Sequence, residues 1–115
     1  MICWKKSNRR NIKMALDLTL AFQDKKPIQT IASLSHTHFL LVNIPSATRR
    51  ITVGCEAKKI FLSFSHADGA AKSVTDCVWI PSNSVFSMAI GNNIDSFAVV
   101  ADSAASDVAI ILEEV

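Results

Sequence analysis

Residues 73–90 read SVTDCVWIPSNSVFSMAI. Two runs rich in β-formers, VTDCVWI (74–80) and SVFSMAI (84–90), flank the Pro-Ser-Asn-Ser break at 81–84, a strong turn signal. Neither run shows the 3.6-residue period of an amphipathic helix. Successive side chains of a strand alternate between faces. VTDCVWI therefore sets Val74, Val78 and Ile80 on one face and Cys77 and Trp79 on the other. A strand–turn–strand reading here makes the fold all-β and raises the question of what covers the second face.

The flanking sequence repeats the pattern. On the amino-terminal side, LDLTLAF (16–22) alternates Leu16, Leu18, Leu20 and Phe22 against Asp17, Thr19 and Ala21, and reads as a half-buried strand. IQTIASL (28–34), HFLLVNI (38–44), RITVGC (50–55) and KIFLSFS (59–65) follow, and HADGAAKS after them carries an Asp-Gly turn signal at 68–69. On the carboxy-terminal side lie SFAVVA (96–101) and DVAIILE (107–113). The last of these competes with a helix, but Val108, Ile110 and Ile111 favour a strand. From residue 50 onward the runs start at 50, 59, 74, 84, 96 and 107. That spacing predicts an antiparallel β-sandwich, jelly-roll-like, of about eight strands in two sheets.

The 115 residues suit one domain, assigned to 14–115, with a basic tail at 1–13. Half the residues are hydrophobic and 19% are charged, which excludes a disordered chain. The net charge of +2 is unevenly spread. Residues 1–13 carry five Lys/Arg and no acid, whereas 14–115 carry seven bases and ten acids. The head is expected to be disordered or non-native, with Met14 reading as a natural start; contact with nucleic acid is expected only through it. No apolar run reaches the ~20 residues of a membrane helix, and ALDLTLAF, broken by Asp17 and followed by QDKK, does not read as a signal peptide. Cys3, Cys55 and Cys77 lack zinc-site spacing and are expected as reduced thiols.

Three runs are apolar on both faces. SFAVVA sets Phe97 and Val99 against Ala98 and Val100, and DVAIILE sets Val108, Ile110 and Leu112 against Ala109 and Ile111. Large exposed apolar patches mark interfaces. The expected contact residues are therefore Cys77, Trp79, Pro81, Ala98, Val100, Ala109 and Ile111, with Arg49 and Arg50 meeting an acidic partner surface. The competing expectation is that loops of the same chain cover these faces. Arg49-Arg50 and Lys58-Lys59 also read as guards of strand edges.

Catalytic and metal-binding patterns are weak. His36 and His38 in SHTHF would share one face of a strand, as in a cupin-like metal site, with His66 and Glu56 completing the set. The surrounding IASLSHTHFLLVNIPS has neither the glycines nor the Glu of that pattern. Ser63, Ser65, Ser82, Ser84 and Ser87 fall at strand or turn positions, outside any Gly-flanked elbow. Glu113 and Glu114 are neighbours, so a strand points them to opposite faces. No catalytic residue, metal or cofactor is expected.

From Arg50 on, RRITVGCEAKKIFLSFSHADGAA followed by DCVWIPSNSVFSMAIGNNIDSFAVVADSAASDVAIILEE resembles the small β-sandwich virion proteins of tailed bacteriophages: capsid decoration (cement) proteins or other head-associated structural proteins. The shared order is a strand, an Ala-Asp-Gly loop, an aromatic-Ile-Pro segment, and two strands closing on an acidic end. The chain differs from that group in its low glycine content and basic head. The resemblance implies a non-enzymatic homo-oligomer, often a trimer, made in the host cytoplasm and bound to the major capsid protein on the virion surface. Two other readings compete: a carbohydrate- or receptor-binding module of a phage tail or fibre, and a small cupin-like metal protein using His36 and His38.

Overall fold

The computed structural model describes residues 15–91 and 93–114; the basic tail and Cys3 lie outside them. Nine strands form, and no helix occurs among the described residues. They are β1 (Leu16–Asp17), β2 (Ile28–Leu34), β3 (Leu40–Asn43), β4 (Thr48–Cys55), β5 (Ile60–Ser63), β6 (Cys77–Ile80), β7 (Ser84–Ala89), β8 (Ser96–Ala101) and β9 (Ser106–Glu114). One sheet has the order β1-β3-β8-β5-β6 and the other β2-β9-β4-β7. Every pairing is antiparallel except β1 with β3. With β1 set aside, the eight remaining strands divide into two four-stranded arrays, β3-β8-β5-β6 and β2-β9-β4-β7, in the order of a jelly roll. The expected sandwich is thus observed, with β1 added to one edge.

The core lies between the sheets and is built from alternate positions. From the four-stranded sheet come Ile51, Val53, Val108, Ile110 and Leu112; from the other come Val42, Ile60, Leu62, Ile80, Phe97 and Val99. Each is buried almost completely. The β6–β7 corner carries the chain from one sheet to the other across Pro81–Asn83, where Asn83 takes a left-handed backbone (φ 57°) and its amide donates to Glu56 O at 2.9 Å. Asn tolerates that conformation better than most residues. This corner joins two sheets, so VTDCVWI and SVFSMAI are not a hairpin.

Three expectations need correction. The alternation in LDLTLAF gives only a two-residue strand, because Asp17 Oδ1 accepts hydrogen bonds from the Thr19 amide (3.0 Å) and hydroxyl (2.7 Å) and turns the chain. Residues 19–25 then form consecutive turns that bury Leu18 and Ala21 and leave Leu20 exposed. Secondly, β6 begins at Cys77, not Val74, and Val74 lies in the preceding loop. Thirdly, β4 lies between β9 and β7, so Arg49 and Arg50 do not guard a sheet edge.

Candidate interaction face

The outward faces of the two sheets have opposite fates. On the five-stranded sheet, residues 66–72 fold back along 37–41. The Phe39 amide donates to Ala70 O (2.8 Å), the Gly69 amide to Phe39 O (2.9 Å), and the Leu41 amide to Asp68 Oδ1 (3.0 Å). Gly69 supplies the positive φ of 78° that this reversal needs. Beneath lies a second apolar cluster of Phe39, Phe61, Ala98 and Val100, with Leu41, Ala70 and Cys77 at its margin.

Ala98 and Val100 are therefore 0% exposed within a single chain, and no partner can reach them. Their expected place in an interface is corrected on this ground: loop coverage supplies the apolar contact that a second subunit would otherwise have to give. At the same margin, Ser63 (1% exposed) shares a 2.6 Å hydrogen bond with His66 Nδ1 and accepts from the Ser65 amide at 3.0 Å, while the His66 ring stacks on Phe39 at 4.3 Å. The Ser63 hydroxyl is sealed from solvent, so the pair serves packing. Cys77, half-buried, donates from Sγ to Ser73 O at 3.2 Å; burial, then the Asp76 carboxylate, push its thiol pKa up. A thiol so perturbed is a poorer nucleophile at neutral pH.

Trp79 leaves this cluster at the rim. It is 59% exposed, meets Phe61 edge-to-face at 5.9 Å, and carries the Lys59 ammonium 5.5 Å from its ring centroid. Pro81 is exposed beyond it. The sequence placed both outward.

Among the described residues, nothing covers the outer face of the four-stranded sheet. Its register sets four rows across the strands. Ile28, Ile111, Thr52 and Ser87 make one row, and Thr30, Ala109, Gly54 and Val85 the next. Glu113, Arg50 and Ala89 form a third row at one end. At the opposite end, Asp107 and Glu56 border a shallow hollow of about 430 Å³ floored by Gly54 and Ala109. Gly54 keeps this floor low, since a Cβ there would meet Val85 Cγ2 at 3.3 Å. Ile28 (62% exposed), Val85 (70%) and Ile111 (36%) stand open to solvent. Arg50 is held in place by Ser87 Oγ (3.2 Å) and by Glu113 (3.8 Å), and Ser87 Oγ also accepts from Thr52 Oγ1 (3.1 Å).

Of the expected contact residues, this face gathers Ala109, Ile111 and Arg50, whereas Trp79 and Cys77 belong to the other sheet and Pro81 to the corner between the two. Arg49 sits at the end of the face, its Nη1 donating to Ser46 O and Thr48 O at 3.2 Å each. Ile28, Val85, Gly54 and Asp107 were not singled out from sequence, and Glu56 was weighed only as a metal ligand. The signal for Val85 was the alternation Val85, Ser87, Ala89 against Phe86, Met88, Ile90; the others needed the strand order.

His36 and His38 lie exposed in the loop before β3, where His38 Nδ1 shares a 3.0 Å hydrogen bond with Thr37 Oγ1. The described residues bring together no group of three metal-ligating side chains, so His36, His38, His66 and Glu56 do not form the set a cupin-like site requires.

No family model matches the chain, and no curated protein does. Among solved structures, protein NMB1881 from Neisseria meningitidis is similar at 12% identity and a TM-score of 0.43, over 75% of this chain and 72% of that one. A structure described as Bacillus endospore appendages, forming disulfide-linked pili, is similar at 10% identity and a TM-score of 0.40, over 74% and 84%. A protein of unknown function (DUF1255) from Acinetobacter is similar at 14% identity and a TM-score of 0.33, over 75% and 67%.

Proposed function

We propose that the protein is a non-enzymatic structural subunit of a virion, a capsid decoration protein that stabilises a phage head by binding the major capsid protein and further copies of itself. The observation that carries this reading is the open face of β2-β9-β4-β7. Ile28, Val85 and Ile111 stand in water on a two-sheet scaffold whose other outer face is covered by residues 66–72 as far as the Trp79 rim. Contiguous apolar surface of this kind is a mark of protein contact. The rigid frame beneath suits a clamp between neighbours: each strand of the face is tied to the core through its alternate residues. The resemblance from Arg50 on points the same way and implies a trimer.

The test adds purified protein to heads of the phage that encodes it, prepared without it. Saturable binding, with heads surviving a higher temperature before releasing DNA, supports the proposal. Failure to bind such heads overturns it. A second reading, a carbohydrate- or receptor-binding module, draws on Trp79, whose exposed ring is the kind of surface on which a sugar stacks. Binding on a glycan array that Trp79→Ala abolishes, with no binding to heads, would favour it.

A further inference from the structure

We propose that two copies of this chain pair face to face through β2-β9-β4-β7, about a two-fold axis perpendicular to the strands that passes between the Ile111 and Ala109 rows. This rests on the self-association part of the reading above and puts a two-fold pair in place of the trimer that the resemblance implies.

The two central rows are complementary to each other, column by column. One holds Ile28, Ile111 and Thr52 where the other holds Thr30, Ala109 and Gly54; in the fourth column the order is reversed, Ser87 against Val85. A two-fold axis between these rows lays each row over the other in the second copy. Each large side chain then meets a small one, and the Ile111 ridge enters the hollow floored by Gly54 and Ala109. Such a contact is isologous, one patch serving both partners.

One ion pair fits this axis, opposed by the like-charge contact of Glu113 with Asp107 of the other copy. The operation brings Arg50 of each copy over the Glu56 and Asp107 end of the other. The stagger of packed sheets, about 30°, leaves the long Arg side chain within range of either acid. Glu113 also comes to that end, already paired with Arg50 at 3.8 Å. The alternative two-fold axis, parallel to the strands, lays Glu113 over Arg50 at one end and Asp107 over Glu56 at the other, so side-chain size and not charge separates the two axes. The parallel axis stacks Ala109 on Gly54, leaving a void.

The size of the face sets the strength. Four strands about 4.8 Å apart, over roughly eight residues rising about 3.3 Å each, give ~500 Å² per copy. Some ~1,000 Å² in all is near the lower limit for specific association, so pairing should be concentration-dependent.

Light scattering across a concentration series is the first measurement, on the full chain and on Ala109→Arg, which places a long charged side chain in the hollow without touching the core. The expected result is a dimer for the full chain and a monomer, with unchanged melting temperature, for the variant. The axis is tested by mixing two variants, Ala109→Cys and Ile111→Cys, each also carrying Cys3→Ser and Cys77→Ser, so that the introduced thiol is the one cysteine outside the core beside the buried Cys55. Oxidation should cross-link the mixture and neither variant alone. A dimer that survives Ala109→Arg overturns the proposal, as does a mixture that fails to cross-link. A trimer overturns the two-fold geometry and leaves the self-associating structural reading standing. A monomer at the highest concentration overturns both this inference and self-association, while binding to phage heads remains a separate result.

Discussion

Phe61 and Val85 are both apolar and both point away from the central core, yet the structure gives them opposite meanings. Phe61 is buried beneath the 66–72 segment, whereas Val85 is open. Phe61→Ala should therefore cost about 3–5 kcal/mol in a urea titration. Val85→Ala should stay within about 0.5 kcal/mol while weakening self-association in light scattering. Equal stability losses would show that the face is covered within one chain after all. Cys77 gives a second expectation. With its thiol pKa raised by burial and by Asp76, it should alkylate with iodoacetamide more slowly than a free thiol at pH 8, and Asp76→Asn should speed it. Because the folded state favours the neutral thiol, the stability this group contributes is whole below the ordinary thiol pKa. It declines as pH rises through the raised value. Asp17 has the reverse sign. Held low by its two hydrogen bonds from Thr19, its contribution is present at neutral pH and is lost as pH falls through the depressed value.

The strands were legible in the sequence wherever alternation met no competitor. β4 and β7 alternate cleanly, β9 was decided against a helix by Val108, Ile110 and Ile111, and the inward residues of all three pack in the core. β8 was legible as a strand but not in its surroundings, since Ala98 and Val100 look like an outward face until the 66–72 segment is laid over them. That coverage is a long-range pairing, invisible to a local pattern. LDLTLAF failed for the opposite reason: a single local hydrogen-bonding side chain, Asp17, overrode a good period-two pattern. The β6–β7 corner was read correctly as a break but not as a passage between sheets. Its Asn83, at φ 57°, gives the expectation for this element. Asn83→Ala should cost about 1 kcal/mol in chemical denaturation, because a Cβ-bearing residue without a local hydrogen-bonding side chain is strained there, and Asn83→Gly should be neutral or better. A larger loss for Gly than for Ala would mean the Asn side chain, not its backbone, matters.

For the whole molecule, the candidate face was half legible. Ala109, Ile111 and Arg50 follow from β9 and β4 alone, but Ile28 and Val85 join them only because β2 and β7 flank that pair in the sheet. No count of apolar residues reveals strand order. The same order has a temporal side. β9 is inserted between β2 and β4, so the nine residues from Ser106 to Glu114 complete both the four-stranded sheet and its face. A nascent chain on the ribosome holds β2 and β4 long before the strand that must come between them has left the exit tunnel. Completion of the sheet therefore waits for a slow, non-local closing step. A nascent chain stalled before Ser106 should remain protease-sensitive and present no finished face to a second copy.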